Sequence, residues 1–165
     1  MSARKNVPSA QPGPPAQNVM PFVKMHGLGN DYIYIDLFAA KELPKAAGEP
    51  ADLARRLSDR HFGIGGDGLI LLEPSDKDDL RMRMFNADGS EGAMCGNGIR
   101  CLAKLAFEAG HVAARRITVE TRAGVKTLEL ITAGSVVEAV RVNMGPPRLA
   151  PEACPCREVF VHFLQ

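Results

Sequence analysis

One cysteine of this 165-residue chain, Cys95, has neighbours in the sequence that favour a catalytic role. Cys95 is followed by Gly96-Asn97-Gly98 and then by apolar residues at helical spacing. The N–H groups in the first turn of a helix lack intrahelical partners and carry partial positive charge. Because the glycines bring no side chains, an anion can approach these N–H groups, and the same end stabilises a thiolate. The stretch predicts a carboxylate site beside an activated thiol, which suits binding an amino acid and removing its Cα proton.

The alternative for Cys95 is packing, since most free cysteines are small buried residues. The neighbouring glycines favour a catalytic role for Cys95. Glycine destabilises the start of a helix, so it is expected there only where the backbone itself has a function. Cys101 lies about 240° further around the same helix, so it points away from the face that Cys95 serves and is interpreted as a core residue. Cys154 and Cys156 are one residue apart without a second pair, and the histidines show no ligand spacing, so no metal site is predicted.

The elements that must hold Cys95 are predicted on either side of it. Residues 80–84 alternate apolar and charged side chains, which predicts a half-buried strand, and Asp88-Gly89 predicts a turn after it. Residues 99–109 read as a helix that Gly110 ends. Its polar residues form one narrow stripe: Arg100, Lys104 and Glu108. A helix apolar on nearly every other side is buried on nearly every side. We therefore expect an α/β fold of the α+β type, with a curled mixed or antiparallel sheet around a central buried helix.

The remaining chain supplies strands for that sheet. Period-2 and apolar runs predict strands, a short amphipathic helix is predicted over 52–61, and residues 26–31 read as a glycine-rich turn. The predicted strands are 22–25, 32–38, 69–73, 117–121, 125–131 and 136–144, the last three forming an antiparallel meander. Gly63, Gly65 and Gly68 formally match a dinucleotide-binding motif, but that motif needs a strand before it and a helix after it. Here a helix precedes and a strand follows, so a loop is predicted.

Composition narrows the class of protein. With 20 basic and 19 acidic residues the net charge is +1, which gives no reason to expect nucleic acid or an anionic membrane as partner. A hydrophobic content of 45% is ordinary for a globular chain, and no apolar run is long enough to span a bilayer. The cysteine usage favours free thiols in a reducing, cytoplasmic compartment. We expect a disordered tail over 1–19, one domain over 20–149 and an irregular tail over 150–165.

Five motifs, taken together, resemble those of diaminopimelate epimerases over about residues 20 to 149. They are Met-His-Gly-Leu-Gly-Asn-Asp at 25–31, His-Phe-Gly-Ile-Gly-Gly-Asp-Gly at 61–68, Phe-Asn-Ala-Asp-Gly-Ser-Glu at 85–91, Cys-Gly-Asn-Gly-Ile-Arg-Cys at 95–101 and Val-Asn-Met-Gly at 142–145. The Cys-Gly-Asn-Gly motif alone is also similar to the Cys-Gly-His-Gly of proline racemases. Asn97, where those enzymes have histidine, argues against a proline-type racemase.

The resemblance implies a PLP-independent isomerase of lysine biosynthesis that interconverts LL- and meso-diaminopimelate without a cofactor. It also implies two similar halves, each a sheet around a central helix with one cysteine, and a substrate held between them. Cys95 would be the catalytic thiol of the first half, and Gly96 and Asn97 would bind the amino-acid head. Asn30 and Asn86 match substrate-binding asparagines. Gly68 stands where some members have a glutamine that contacts substrate.

The family's second half has no counterpart in the sequence, and neither Cys101, Cys154 nor Cys156 matches its cysteine. We therefore expect the first half of an epimerase, weak or inactive alone, with diaminopimelate as small-molecule substrate. Its protein partner would be a complementary second half or a second copy of the chain. Two alternatives remain open here: a non-catalytic truncated half-domain, and a related proline-type racemase.

Overall fold

One mixed sheet and two α-helices make up residues 19–38 and 42–145, the part of the chain that the computed structural model describes. In chain order the elements are β1 (Val23–Gly27), β2 (Asn30–Asp36), α1 (Pro50–Ser58), β3 (Gly68–Glu73), β4 (Leu80–Asn86), β5 (Glu91–Gly92), α2 (Gly96–Glu108), β6 (Arg116–Glu120), β7 (Lys126–Ala133) and β8 (Val136–Val142). A single 3-10 turn, Lys45–Ala47, precedes α1. Apart from Val19, the tails predicted over 1–19 and 150–165 lie outside the described residues.

The sheet runs in the order β1-β2-β3-β4-β6-β7-β8, and the short β5 pairs with β4. β2 with β3 and β4 with β6 are parallel pairs, whereas the other neighbours are antiparallel. Each parallel pair is joined by a helix, α1 in the first case and α2 in the second, because parallel strands need a long crossover connection. β6, β7 and β8 form the predicted antiparallel meander.

The sheet curls around α2, as the sequence predicts. This helix contacts β1 and β8, which lie at opposite ends of the strand order, as well as β2, β3 and β7. Only Glu108 of its residues is exposed. Ile99, Leu102, Ala103 and Ala106 are fully buried against the inner face of the sheet. Burying one Leu or Ile side chain contributes about 1.5–3 kcal/mol, so α2 is held mainly by this apolar contact.

A second core lies on the opposite face of the sheet, under α1. Leu53 and Ala54 of α1 pack there with Ile33, Leu69 and Phe85 of the strands. The central strands are thus covered on both faces, which explains why β2 and β3 are continuous apolar runs rather than alternating ones.

Several boundaries differ from the sequence expectation for local reasons. α2 begins at Gly96, three residues before the predicted start, because Cys95 caps it. α1 spans Pro50–Ser58 rather than 52–61, since proline favours the first helical position. The glycine-rich turn is shorter than predicted: only Leu28 and Gly29 separate β1 from β2, both at positive φ (56° and 86°). β5 was not predicted. The strand predicted after the loop over residues 63–68 is present as β3 and begins one residue early, at Gly68.

Candidate active site

The candidate site is built at the first turn of α2. Cys95 is the N-cap residue of this helix, and its Sγ accepts a hydrogen bond from the N–H of Gly98 at 3.4 Å. The first backbone bond of the helix runs from Ile99 N to Cys95 O at 2.9 Å. The N–H groups of Gly96 and Asn97 come before it, so they lack intrahelical partners and point towards the cap. The N–H groups at which the sequence predicts a carboxylate site therefore lie beside the Cys95 thiol.

Close packing fixes this turn against the sheet. A Cβ at Gly98 would lie 2.6 Å from Ile70 Cδ1, so only glycine lets the turn approach β3 this closely. Tyr34 of β2 donates a hydrogen bond from its hydroxyl to the Gly98 carbonyl at 3.2 Å. The start of α2 is thus held from two strands, and Cys95 has a defined position above the sheet.

Asn30 reaches the thiol from the neighbouring hairpin. It is the first residue of β2, directly after the two-residue turn, and its Oδ1 lies 3.3 Å from Cys95 Sγ, which donates the hydrogen bond. Positive φ at both turn residues, Leu28 and Gly29, is typical of the tight hairpin turns that match strand twist. The hairpin therefore places the Asn30 amide at the candidate catalytic thiol.

A polar cluster that the sequence analysis missed lies behind Asn30. Asn30 Nδ2 donates to Asp67 Oδ2 at 2.6 Å, and the N–H of Asp31 donates to the same oxygen at 3.0 Å. Arg60 Nη2 donates to Asp67 Oδ1 at 3.0 Å and to Asp31 Oδ1 at 2.7 Å. The available signal was Asp67 itself, a charged residue between glycines immediately before a buried strand.

Two tyrosines of β2 face the thiol. Burial, followed by the neighbouring Cys95, raises the pKa of Tyr32 to about 12, and burial also strongly raises the pKa of Tyr34. Both phenols are therefore protonated at neutral pH and act as neutral hydrogen-bonding groups. On the rim of the site, the hydrogen bonds from Arg60 hold the pKa of Asp31 at about 2, so this carboxylate is ionised.

Asn97 and Gly96, which are also predicted to bind substrate, lie in the first turn of α2 itself. Asn97 Oδ1 accepts a hydrogen bond from Arg100, and its Cβ lies 3.2 Å from where a Cβ of Gly27 would be, so β1 closes on the helix start. A Cβ at Gly96 would have only the side chain of Met144 near it among the described residues, at 3.8 Å.

Asn86, the last residue of β4, does not bond to the Cys95 thiol as Asn30 does. The sheet register pairs Tyr32 with Gly68 and Gly68 with Asn86, so Asn86 lies two strands from Tyr32. Its Nδ2 donates to Ser90 Oγ at 2.9 Å within its own turn, not to Cys95 or Asn30. At Gly68 a Cβ would lie 2.1 Å from the Phe85 carbonyl oxygen, so this backbone has no room for a side chain there.

Cys101 is buried, with 8% of its surface exposed, in the core around α2, as predicted. Cys154 and Cys156 lie outside the described residues.

Within residues 19–38 and 42–145, no three His, Cys, Asp or Glu side chains are grouped so as to hold a metal ion. No helix in this part of the chain is long and apolar enough to cross a membrane.

The curled sheet around a capped helix has a counterpart among solved structures. The chain aligns with the structure of a hydroxyproline epimerase from Agrobacterium vitis at a TM-score of 0.53 and 17% identity, over 74% of this chain and 40% of that one. This likeness shows a shared fold. The family model for diaminopimelate epimerase matches residues 22–150, and the chain belongs to that family.

Curated relatives agree with this assignment. The chain is 49% identical over 144 residues to the diaminopimelate epimerase of Acetivibrio thermocellus, covering 86% of this chain and 50% of that protein. It is 56% identical over 137 residues to the diaminopimelate epimerase of Heliobacterium modesticaldum, covering 82% of this chain and 48% of that protein. The chain thus spans about half the length of the curated relatives it matches.

Proposed function

We propose that this chain provides one catalytic half of a PLP-independent epimerase that interconverts LL- and meso-diaminopimelate. The observation that carries the proposal is the position of Cys95: a half-buried thiol at the N-cap of α2, beside the unpaired N–H groups of Gly96 and Asn97. A substrate α-carboxylate bound to these N–H groups would place its Cα next to the sulfur. Family membership supports the substrate class.

The chemistry assigned to Cys95 is proton transfer at Cα. As a thiolate it takes the Cα proton and becomes a thiol, while the electron pair stays on the substrate carbon. Running in the other direction, the thiol returns a proton to the same face. Two groups support these two states: the Gly98 N–H donates to the sulfur, and Asn30 Oδ1 accepts from the S–H. Excluding water around the site would strengthen these contacts in the transition state.

Asn30 and Asn86 are proposed substrate-binding residues. Asn30 lies at the thiol, whereas Asn86 lies two strands from Tyr32 and bonds to Ser90. Diaminopimelate is long, with an amino-acid group at each end, so a residue at this distance suits recognition beyond the reacting carbon. The Asn86 amide could bind substrate and keep its Ser90 contact, because it has a second N–H and an acceptor oxygen.

Inversion at Cα needs a second acid–base group on the opposite face of the substrate. We propose that residues 20–149 form the first half-domain of the epimerase, and that the second group comes from a complementary half or a second copy of the chain. A non-catalytic half-domain would share the same fold but would not bind or deprotonate diaminopimelate. A proline-type racemase would use the same scaffold, but Asn97 disfavours it.

A chimera tests the function directly. Residues 22–145 would replace the matching half of the Acetivibrio thermocellus relative, to which the chain is 49% identical. We expect the chimera to convert LL- to meso-diaminopimelate and to leave L-proline unchanged, and we expect Cys95→Ala to abolish the conversion. A chimera that is folded by circular dichroism but inactive on diaminopimelate would contradict the proposal.

A further inference from the structure

In the polar cluster behind the thiol, the Asp67 carboxylate contacts the side-chain amide of Asn30, which could face it with either end. Asp67 accepts hydrogen bonds from Asn30 Nδ2 at 2.6 Å, from the Asp31 N–H at 3.0 Å and from Arg60 at 3.0 Å. We propose that Asp67 is a positioning residue that sets the orientation of the Asn30 amide, and thereby which of its atoms faces Cys95. The effect of this orientation on catalysis rests on the function proposed above. The orientation of the Asn30 amide does not depend on that function.

This inference follows from the hydrogen bonds that the side chains of Asn30 and Asp67 are able to make. An ionised carboxylate can only accept hydrogen bonds, whereas an amide side chain has a donor end and an acceptor end. The short contact between Asn30 and Asp67 must therefore use the NH₂ group, because the flipped amide would set two oxygens against each other. This leaves Oδ1 turned towards Cys95, at 3.3 Å from the sulfur.

This orientation affects the protonation of the thiol. Asn30 Oδ1 can accept from the S–H but has no proton to give a thiolate, so it favours the protonated thiol. The Gly98 N–H, at 3.4 Å on the sulfur, favours the thiolate. Opposed contacts of this kind keep both forms of Cys95 accessible, which a reversible proton transfer requires. An amide free to rotate would offer its NH₂ group to the sulfur and shift the balance towards the thiolate.

The other groups around the thiol do not replace Asp67 in this role. Among the described residues, Tyr32 of β2 lies beside Cys95 and is protonated at neutral pH, the Tyr34 hydroxyl donates to the Gly98 carbonyl, and Asp67 lies behind Asn30. Asp31 and Arg60 belong to the same cluster, but the Asp31 carboxylate accepts from Arg60, and Arg60 also donates to Asp67; neither side chain bonds to Asn30. Asp31 therefore offers a matched control with the same charge at a neighbouring position.

The test uses the full chain with Cys154→Ser and Cys156→Ser, so that Cys95 is the accessible thiol to be followed. Three variants are compared: Asp67→Ala removes the acceptor, Asp67→Asn removes the charge but keeps an acceptor oxygen, and Asp31→Asn removes a neighbouring charge. Side-chain amide resonances of Asn30, identified with Asn30→Asp, are recorded by NMR. The rate of Cys95 alkylation by iodoacetamide is measured against pH.

We expect a downfield, slowly exchanging Asn30 amide proton in the parent chain, in Asp67→Asn and in Asp31→Asn, but not in Asp67→Ala. The rate of Cys95 alkylation near neutral pH should rise about three- to tenfold in Asp67→Ala, the effect of about one exchanged hydrogen bond, and stay nearly unchanged in the other two. Rescue by Asp67→Asn separates the loss of an acceptor from the loss of a charge.

Two results would overturn the inference. One is an Asn30 amide in the parent chain that exchanges freely at an ordinary chemical shift, a measurement that does not depend on any variant folding. The other is an Asp67→Asn variant that behaves like Asp67→Ala. Neither readout requires turnover, so an inactive chimera would contradict the proposed function without affecting this result.

Discussion

At the scale of single residues, Cys95 and Cys101 lie six positions apart on one segment and differ in access. Cys95 is half-buried at the cap, with backbone and amide groups around its sulfur, whereas Cys101 is packed in the core. We expect limiting iodoacetamide to label Cys95 well before Cys101, because the buried thiol is reached only when the core opens. Peptide mapping by mass spectrometry measures the order.

The two cysteines of the C-terminal segment are replaced by serine for this experiment, so that they do not consume reagent. Cys95→Ala serves as the control and should leave the native chain almost unlabelled. Preferential labelling of Cys101 in the folded chain would show that the helix start is less accessible than the structure indicates.

Asp31 gives the site a predictable response to acid. Hydrogen bonds from Arg60, with a further contribution from Lys24 at 3.2 Å, hold the pKa of its carboxyl at about 2, below its ordinary value of 3.8. A carboxyl with a lowered folded-state pKa stabilises the fold above its unfolded-state pKa, and this stabilisation is lost as the pH falls towards 2. We therefore expect Asp31→Asn to lose less stability between pH 4 and pH 2 than the unsubstituted chain.

Urea unfolding at pH 7, 4 and 2.5 checks this prediction. The relevant quantity is the difference between the two chains at each pH, because other carboxylates lose their own contacts in acid. Glu129→Gln removes an exposed ion pair with Arg141 and provides the comparison for an ordinary surface carboxylate. An Asp31→Asn chain whose stability falls in parallel with the parent would contradict the assigned ion pairing.

At the scale of elements, the first turn of α2 contains two glycines with different surroundings. A Cβ at Gly98 would lie 2.6 Å from Cδ1 of Ile70, which is fully buried and has little space to move. A Cβ at Gly96 would meet only the Met144 side chain, at 3.8 Å, an ordinary contact. We expect Gly98→Ala to lower the free energy of unfolding by about 1–2 kcal/mol, since overpacking exceeds the gain in helix propensity.

Gly96→Ala is the matched control, two residues away in the same turn. It should leave the free energy of unfolding unchanged or raise it by up to about 1 kcal/mol. Denaturant unfolding of both variants measures the difference. Equal effects of the two substitutions would mean that the helix start is not pressed against β3.

At the scale of the whole molecule, the described fold presents one wall of a site. In the proposed function, Cys95 reaches a bound Cα from one face only; two large apolar side chains on loops, Leu28 and Phe62, are 92% and 96% exposed. We expect the isolated chain to convert LL-diaminopimelate at a negligible rate, because loss of one acid–base partner costs about 10²–10⁴ in rate. Stereochemical conversion followed by chiral chromatography measures the rate.

Cys95→Ala is again the control. Clear turnover by the isolated chain that disappears in Cys95→Ala would show that the second acid–base group comes from a second copy or from the C-terminal cysteines. Of the two sources proposed for the second group, the separate complementary half would then be wrong, while the role of Cys95 would stand.

Sequence alone was sufficient for features that depend on neighbours along the chain. Alternation over residues 80–84, apolar residues through 99–109 and the three meander strands predicted the main elements, because burial imposes those periods directly. The glycines after Cys95 identified the helix start, since cap chemistry is local. The motifs also led to the family, and the buried Cys101 followed from helical geometry.

The contacts around the thiol were decided by tertiary structure. Asn30 and Cys95 are 65 positions apart, and Asn30 and Asp67 are 37 apart. No local pattern encodes such pairs, because they depend on a hairpin of two turn residues and on the parallel pairing of β2 with β3. The same pairing placed Asn86 two strands from Tyr32 and left no room for a side chain at Gly68. The sequence therefore determined which residue is proposed to carry the chemistry, and the packing of sheet against helix determined which groups contact it.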